Sequence, residues 1–177
     1  MKWESFSYEG VEYNLSHLQP FEWICIQEAK AGKPERQYQF DVIFSMHCFT
    51  RKIEANDMPA KELLYSDSRE TRCICFKRYE QSKILADIIQ TLNNRKCMHT
   101  GHGNYLTIEI QGEGNESQNY EIYFTVSKSS KKGYLNLYID SAYIRDREHG
   151  KPPKNKPIKF YVIAFNTQAG KKIKIPK

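Results

Sequence analysis

Apolar and polar residues alternate with a period of two along most of this chain, the signature of half-buried strands. In "YQFDVIFSMHC" (38–48), Tyr38, Phe40, Val42, Phe44 and Met46 share one face, and Gln39, Asp41, Ser45 and His47 the other. "NYLTIEIQ" (104–111) turns Leu106, Ile108 and Ile110 inward, and "NYEIYFTVS" (119–127) does so with Tyr120, Ile122, Phe124 and Val126. In "GYLNLYIDSAYI" (133–144), Leu135, Leu137 and Ile139 lie opposite Tyr134, Asn136, Tyr138 and Asp140. "IKFYVIAF" (158–165) is apolar on both faces and reads as a central strand. "FSYEGVEYNL" reads as a hairpin around Gly10, with "FEWICIQ" as a further strand. The period changes once over 79–94, where Ile84, Leu85, Ile88, Ile89 and Leu92 recur at helical spacing and Asn93-Asn94 suits a stop. A weaker helical pattern covers 58–65, with Pro59 near its first turn. Connections between strands are mostly too short for crossover helices. The expected fold is α+β: a mainly antiparallel twisted sheet with one principal helix (about 79–94) packed on it.

Length bounds this picture. A chain of 177 residues suits one domain with a sizeable core. The turn-rich stretches at 29–36, 111–119 and 147–157 read as loops within a single domain, 1–177. Apolar residues are 40% of the chain, but twelve Tyr and nine Phe supply large rings where aliphatics are scarce. The longest apolar runs fall far short of a bilayer span, and "MKWESFSYEG" has no apolar leader region, so no membrane is expected. Five cysteines, an odd number without a regular framework, suit reduced thiols and a cytoplasmic location. The net charge of +6 is unevenly placed: "KSSKKG", "GKPPKNKP" and "GKKIKIPK" make the C-terminal third basic. Such a segment either lies along a phosphate backbone or serves as a solvated surface.

The stretch "FSMHCFTRK" (44–52) concentrates the candidate chemistry. If the alternation continues through it, His47 and Cys48 face opposite sides of the sheet, which argues against pairing these neighbours as base and nucleophile. A helical conformation there would bring cysteine chemistry forward. A buried Cys beside aromatics is ordinarily an inert small hydrophobe. His47, on the polar face near a strand end and followed by Thr50 and Arg51, is the better candidate acid/base. His17, in "YNLSHLQPF", is either a turn element or a second histidine sharing acid and base duties with His47. In "LYIDSAYIRDR" (137–147), Tyr143 is a candidate positioning group and Arg145, with Arg51, a phosphate clamp. Alternation sets Tyr138 and Asp140 on one face and Ser141 and Tyr143 on the other, and Arg69, Arg72 and Arg78 extend a basic concavity. For metal, Cys73, Cys75, Cys97, His99 and His102 are weak candidates, because C-x-C on a strand is not the spacing of a zinc knuckle. No cofactor is expected.

The set "YNLSHL", "FSMHCFTR" and "LYIDSAYIRD" resembles an uncharacterised family of small bacterial proteins over most of the chain. The helix-on-sheet order and "LYIDSAY" are distantly similar to the RelE/BrnT-like ribonuclease toxins. That second resemblance implies a basic, RNA-binding, metal-independent ribonuclease with a helix on an antiparallel sheet. The chain is about twice the length usual for those toxins and lacks their full active-site set. The favoured expectation is an RNA-directed protein, in its sharpest form a metal-independent endoribonuclease of bacterial toxin type. His47, His17, Arg51, Tyr143 and Arg145 would then form the site. The alternatives are a non-catalytic nucleic-acid-binding module and a protein–protein immunity or regulatory partner.

Overall fold

The computed structural model describes residues 2–30, 32, 34–111, 118–145 and 156–176. In chain order the elements are β1 (Phe6–Tyr8), β2 (Val11–Tyr13), β3 (Phe21–Gln27), β4 (Arg36–Phe44), β5 (Thr50–Arg51), β6 (Leu64–Ser66), β7 (Thr71–Ile74), α1 (Phe76–Ser82) and α2 (Leu85–Gln90). β8 (Cys97–His99), β9 (Tyr105–Gln111), β10 (Gln118–Lys128), β11 (Tyr134–Ile144), β12 (Lys156–Ile158) and α3 (Phe160–Gln168) follow. A seven-stranded sheet runs β12–β8–β9–β10–β11–β4–β3, and β5, β7 and β6 make a small second sheet. Among the described residues every strand pair is antiparallel except β11 with β4. That parallel pair needs a long crossover, and the chain between β4 and β11 carries the small sheet, α1, α2 and three strands of the large sheet. The expected α+β class is therefore observed. No helix of the described residues is long and apolar enough to cross a membrane.

Alternation explains the core side of the large sheet. Phe40, Val42 and Phe44 on β4 are fully buried, and Trp23 and Phe21 pair with Phe40 and Val42 from β3. The β1–β2 turn also forms as expected: Glu9 and Gly10 both take positive φ (50° and 76°), the pairing that a two-residue turn between twisted strands requires.

Several elements depart from expectation. The segment 158–165 is not a central strand: β12 is a three-residue edge strand, and α3 starts at Phe160. Phe160, Ile163 and Ala164, at i, i+3 and i+4, are its buried residues. A short run apolar on both sides fits either period, and docking decides it. The Phe160 ring settles 5.4 Å from Phe40 and 5.5 Å from Trp23. The helical pattern over 79–94 is also broken. α1 begins three residues earlier, at Phe76, whose ring joins Tyr8 and Tyr13 of the hairpin. Around Lys83–Ile84 the bonding tightens to i→i+3, α2 resumes at Leu85, and Ile84 is left 39% exposed while Leu85, Ile88, Ile89 and Leu92 are buried. The pattern at 58–65 becomes one 3₁₀ turn, Lys61–Leu63, and then β6.

On β9 the expected inward face is the outer one beyond Leu106. Ile108 and Ile110 are 38% and 68% exposed, and Tyr105 and Thr107 are buried instead. Tyr105 lies against Phe124, which in turn contacts Phe160 beneath α3. Alternation separates two faces; it does not say which one another layer will cover.

Candidate functional site

The strand holding "FSMHCFTRK" ends at Phe44, short of His47. Ser45 donates its N–H to the Ile139 carbonyl (3.0 Å), and its hydroxyl accepts the His47 N–H (3.0 Å). Residues Met46–Cys48 then form a 3₁₀ turn. His47 and Cys48 still part company, but through this turn rather than through strand alternation. Cys48 is fully buried, and burial pushes its thiol up to about 12. Cysteine chemistry does not come forward with the helical turn, because a thiol so placed stays protonated at neutral pH.

The His47 imidazole is half-exposed and faces the small sheet. Its Nε2 lies 2.6 Å from Glu70 Oε1, and the other Glu70 oxygen accepts from Arg72 (3.3 Å). The bond to His47, followed by Arg72, holds the Glu70 carboxyl below its usual range. An ionised carboxylate only accepts, so Nε2 carries the proton and Nδ1 is the basic nitrogen. Arg72 also donates to the Thr50 hydroxyl (3.0 Å), which donates to the Met46 carbonyl (2.8 Å). The dyad is thus tied to the floor of its own turn.

Arg78 extends the cluster. From α1 its guanidinium donates to the carbonyls of His47 (3.1 Å) and Thr50 (2.8 Å), and it stands 5.0 Å over the Tyr143 ring. Arg145 donates to Glu121 Oε1 (2.7 Å), the Tyr123 hydroxyl (3.0 Å) and the Tyr143 hydroxyl (3.4 Å). Tyr123 closes the ring by donating to Glu121 Oε2 (2.8 Å). Glu121 foremost holds the Arg145 guanidinium above its ordinary range.

A bulge brings Tyr143 to this place. The β10–β11 register runs Thr125↔Tyr138 and Phe124↔Ile139, then jumps to Tyr123↔Ser141, so Asp140 has no partner. Glu121, Tyr123 and Thr125 share a face of β10, so Tyr138, Ser141 and Tyr143 share one on β11. Uninterrupted alternation, which separates Tyr138 from Tyr143, fails here by one residue. Arg69, paired with Asp67 (3.0 Å), reaches the Tyr138 hydroxyl (3.5 Å) on the same side.

The structure therefore joins His47, Tyr143 and Arg145 through Arg78. Arg51 and His17 have other partners. Arg51 is ion-paired to Asp57 in the following loop. His17 Nε2 sits 2.7 Å from the Ser82 hydroxyl, its ring edge-on to Tyr79, and burial draws its pKa down. Among the described contacts none links His17 to His47. Of the thiols and histidines weighed for metal, Cys73 is on β7 of the small sheet, whereas Cys97 and His99 are on β8 of the large one. Among the described residues no three His, Cys, Asp or Glu side chains converge. Sequence reasoning missed Glu70 and Glu121, and gave Asp140 a face but no role. A lone Glu amid the apolar run "NYEIYFTV" was a usable signal for Glu121. Nothing local marks Glu70, 23 residues from its histidine.

Asp140 is pushed up from 3.8 to about 6 by burial, against a bond from Thr125. Its Oδ2 is buried without a partner among the described residues. The folded state holds the proton more tightly than the unfolded chain, so this residue lowers stability as pH rises from 3.8 through 6. Asp140→Asn is expected to be more stable than the wild type at pH 7.5 by about 1–3 kcal/mol. The difference should close as urea melts are taken from pH 6 toward 4. A constant difference across that range would remove Asp140 as its source.

Fold and cluster together define an α+β protein whose mixed sheet carries a histidine–glutamate–arginine group where the end of β4 meets a small second sheet. The chain belongs to the YjaZ family, whose model matches residues 5–168. It is 31% identical over 179 residues to Protein YjaZ of Escherichia coli (strain K12), a match covering 99% of this chain and 96% of that protein. All three segments that carried the bacterial-family resemblance fall inside the matched region, and the resemblance to ribonuclease toxins is not shown by it. No solved structure matches.

Proposed function

We propose that the His47 cluster is a phosphodiester-directed site acting on RNA, as a metal-independent endoribonuclease. The observation that carries this reading is the His47–Glu70 pair at 2.6 Å, set beside Arg72 and Arg78 at the end of a strand bearing Tyr143. Glu70 orients the ring and stabilises the imidazolium that forms when Nδ1 takes a proton. In the proposed step Nδ1 takes the proton of a ribose 2′-hydroxyl, whose oxygen attacks the adjacent phosphorus. The P–O5′ bond breaks, and the departing 5′-oxygen takes a proton from water. The products are a 2′,3′-cyclic phosphate and a free 5′-hydroxyl. Arg72 and Arg78 supply positive charge near the phosphate, and Tyr143 limits where its oxygens sit. The basic C-terminal third supports an RNA target.

The test is cleavage of an end-labelled single-stranded RNA in the presence of EDTA. His47→Ala is expected to slow cleavage by about 10²–10⁴-fold. A substrate with 2′-deoxyribose at the cut position should resist. Undiminished cleavage by the variant removes His47 from the mechanism. Tight, salt-sensitive binding that leaves RNA intact replaces this reading with the non-catalytic binding module. The toxin aspect is tested by growth arrest on expression of the wild type but not of His47→Ala.

A further inference from the structure

The two edges of the large sheet differ. β12 is three residues long and carries Pro157, a blunted edge of the kind that discourages further pairing. β3 is seven residues long, has no proline, and holds its single charge, Glu22, against Lys131 (2.5 Å). Among the described residues no strand pairs with its outer side. A groove of about 870 Å³ follows this edge, lined by every residue from 23 to 30 and, across from them, by the 3₁₀ turn after α2 and the start of α3. β3 supplies residues 23–27 of its floor, roughly 17 Å of extended strand.

We propose that this groove binds an extended acidic peptide segment of a partner protein, added as a further strand alongside β3. The backbone groups of β3 offer a ladder whose repeat matches a peptide. The two sides of an added strand would meet different surroundings. On one face lie Ile24 and Ile26, 55% and 44% exposed. Across the groove from β3 lie Asn93, Asn94, Lys159 and Tyr161. Carboxamides donate and accept, and so can bond the outer edge of a peptide backbone. Lys30 adds a second cation against one carboxylate, Glu28, and Arg36 and Lys171 flank the Phe165 ring nearby. The matching segment alternates apolar residues toward Ile24 and Ile26 with acidic ones toward Lys159. A second copy of this chain suits the groove poorly, since it brings another net charge of +6.

The probe is a fluorescein-labelled eight-residue peptide alternating valine and glutamate, read by anisotropy against the full chain. Saturable binding is expected, together with slowed hydrogen exchange of amides in β3. Binding should weaken at least tenfold for Lys159→Glu, for Ile24→Lys, and for a probe N-methylated on alternate residues. Unchanged melting curves of the two variants show that they fold. Equal binding of a valine–lysine peptide, or no binding at millimolar probe, overturns the proposal. So does a dimer by light scattering whose formation slows β3 exchange, which assigns the edge to a second copy. An eight-nucleotide RNA that protects the same amides and displaces the probe assigns the groove to nucleic acid.

Discussion

Replacing Glu121 by alanine is expected to cost about 3–5 kcal/mol of folding stability, an effect read from urea-unfolding midpoints at pH 7. The Glu121 side chain is only 3% exposed and that of its partner Arg145 15%. A buried ion pair adds little net stability compared with an apolar filling, because both charges lose their hydration. Removing one member is a different matter, since the charge left behind stays out of water without its closest counter-ion. The Glu121 carboxylate also accepts from Tyr123, so the truncation takes both bonds at once. Glu121→Gln keeps one acceptor oxygen and the shape of the side chain, and is expected to lose less than the alanine variant. Because Arg145 also bonds the Tyr143 hydroxyl, Glu121→Ala should loosen Tyr143 as well. If Glu121→Ala melts within about 0.5 kcal/mol of the wild type, the site is better hydrated than its burial indicates.

Phe160→Ala is expected to cost a further 3–5 kcal/mol, about the usual loss when a buried phenyl ring leaves a cavity. Phe160 is 1% exposed and is the first residue of α3. Its ring meets Trp23, Phe40 and Phe124, which come from three strands of the sheet. These neighbours are rigid aromatics on a hydrogen-bonded sheet and cannot collapse into the space. Trp23 is 5.5 Å from the missing ring, so its emission should shift to the red in the folded variant. Phe160→Leu should recover roughly half the loss, because it restores part of the volume. A small loss for Phe160→Ala, with unchanged Trp23 emission, would mean that α3 is held mainly by Ile163 and Ala164.

Local pattern in the sequence determined β3, β4, β9, β10 and β11 of the large sheet, the hairpin turn at Glu9–Gly10, and the buried stripe Leu85, Ile88, Ile89 and Leu92. These are short-range facts: a side chain's direction follows from its own φ and ψ, so alternation or helical spacing over a few residues is written directly in the order of residues. His47 was likewise legible as the polar member of its stretch, and it remains half-exposed while Cys48 is buried.

Tertiary structure alone decided the rest. One unpaired residue, Asp140, reversed the faces of everything after it on β11, and a bulge of that kind depends on the partner strand. Segment 158–165 became mostly helix because Phe160 found a pocket of three rings, a choice its composition left open. Ile108 and Ile110 faced outward because the layers that cover the sheet lie on the side of Tyr105. Glu70 met His47, and Arg78 met Tyr143, only when separate elements packed together. Such contacts join residues far apart in the chain, so their formation depends on packing, which no local period encodes.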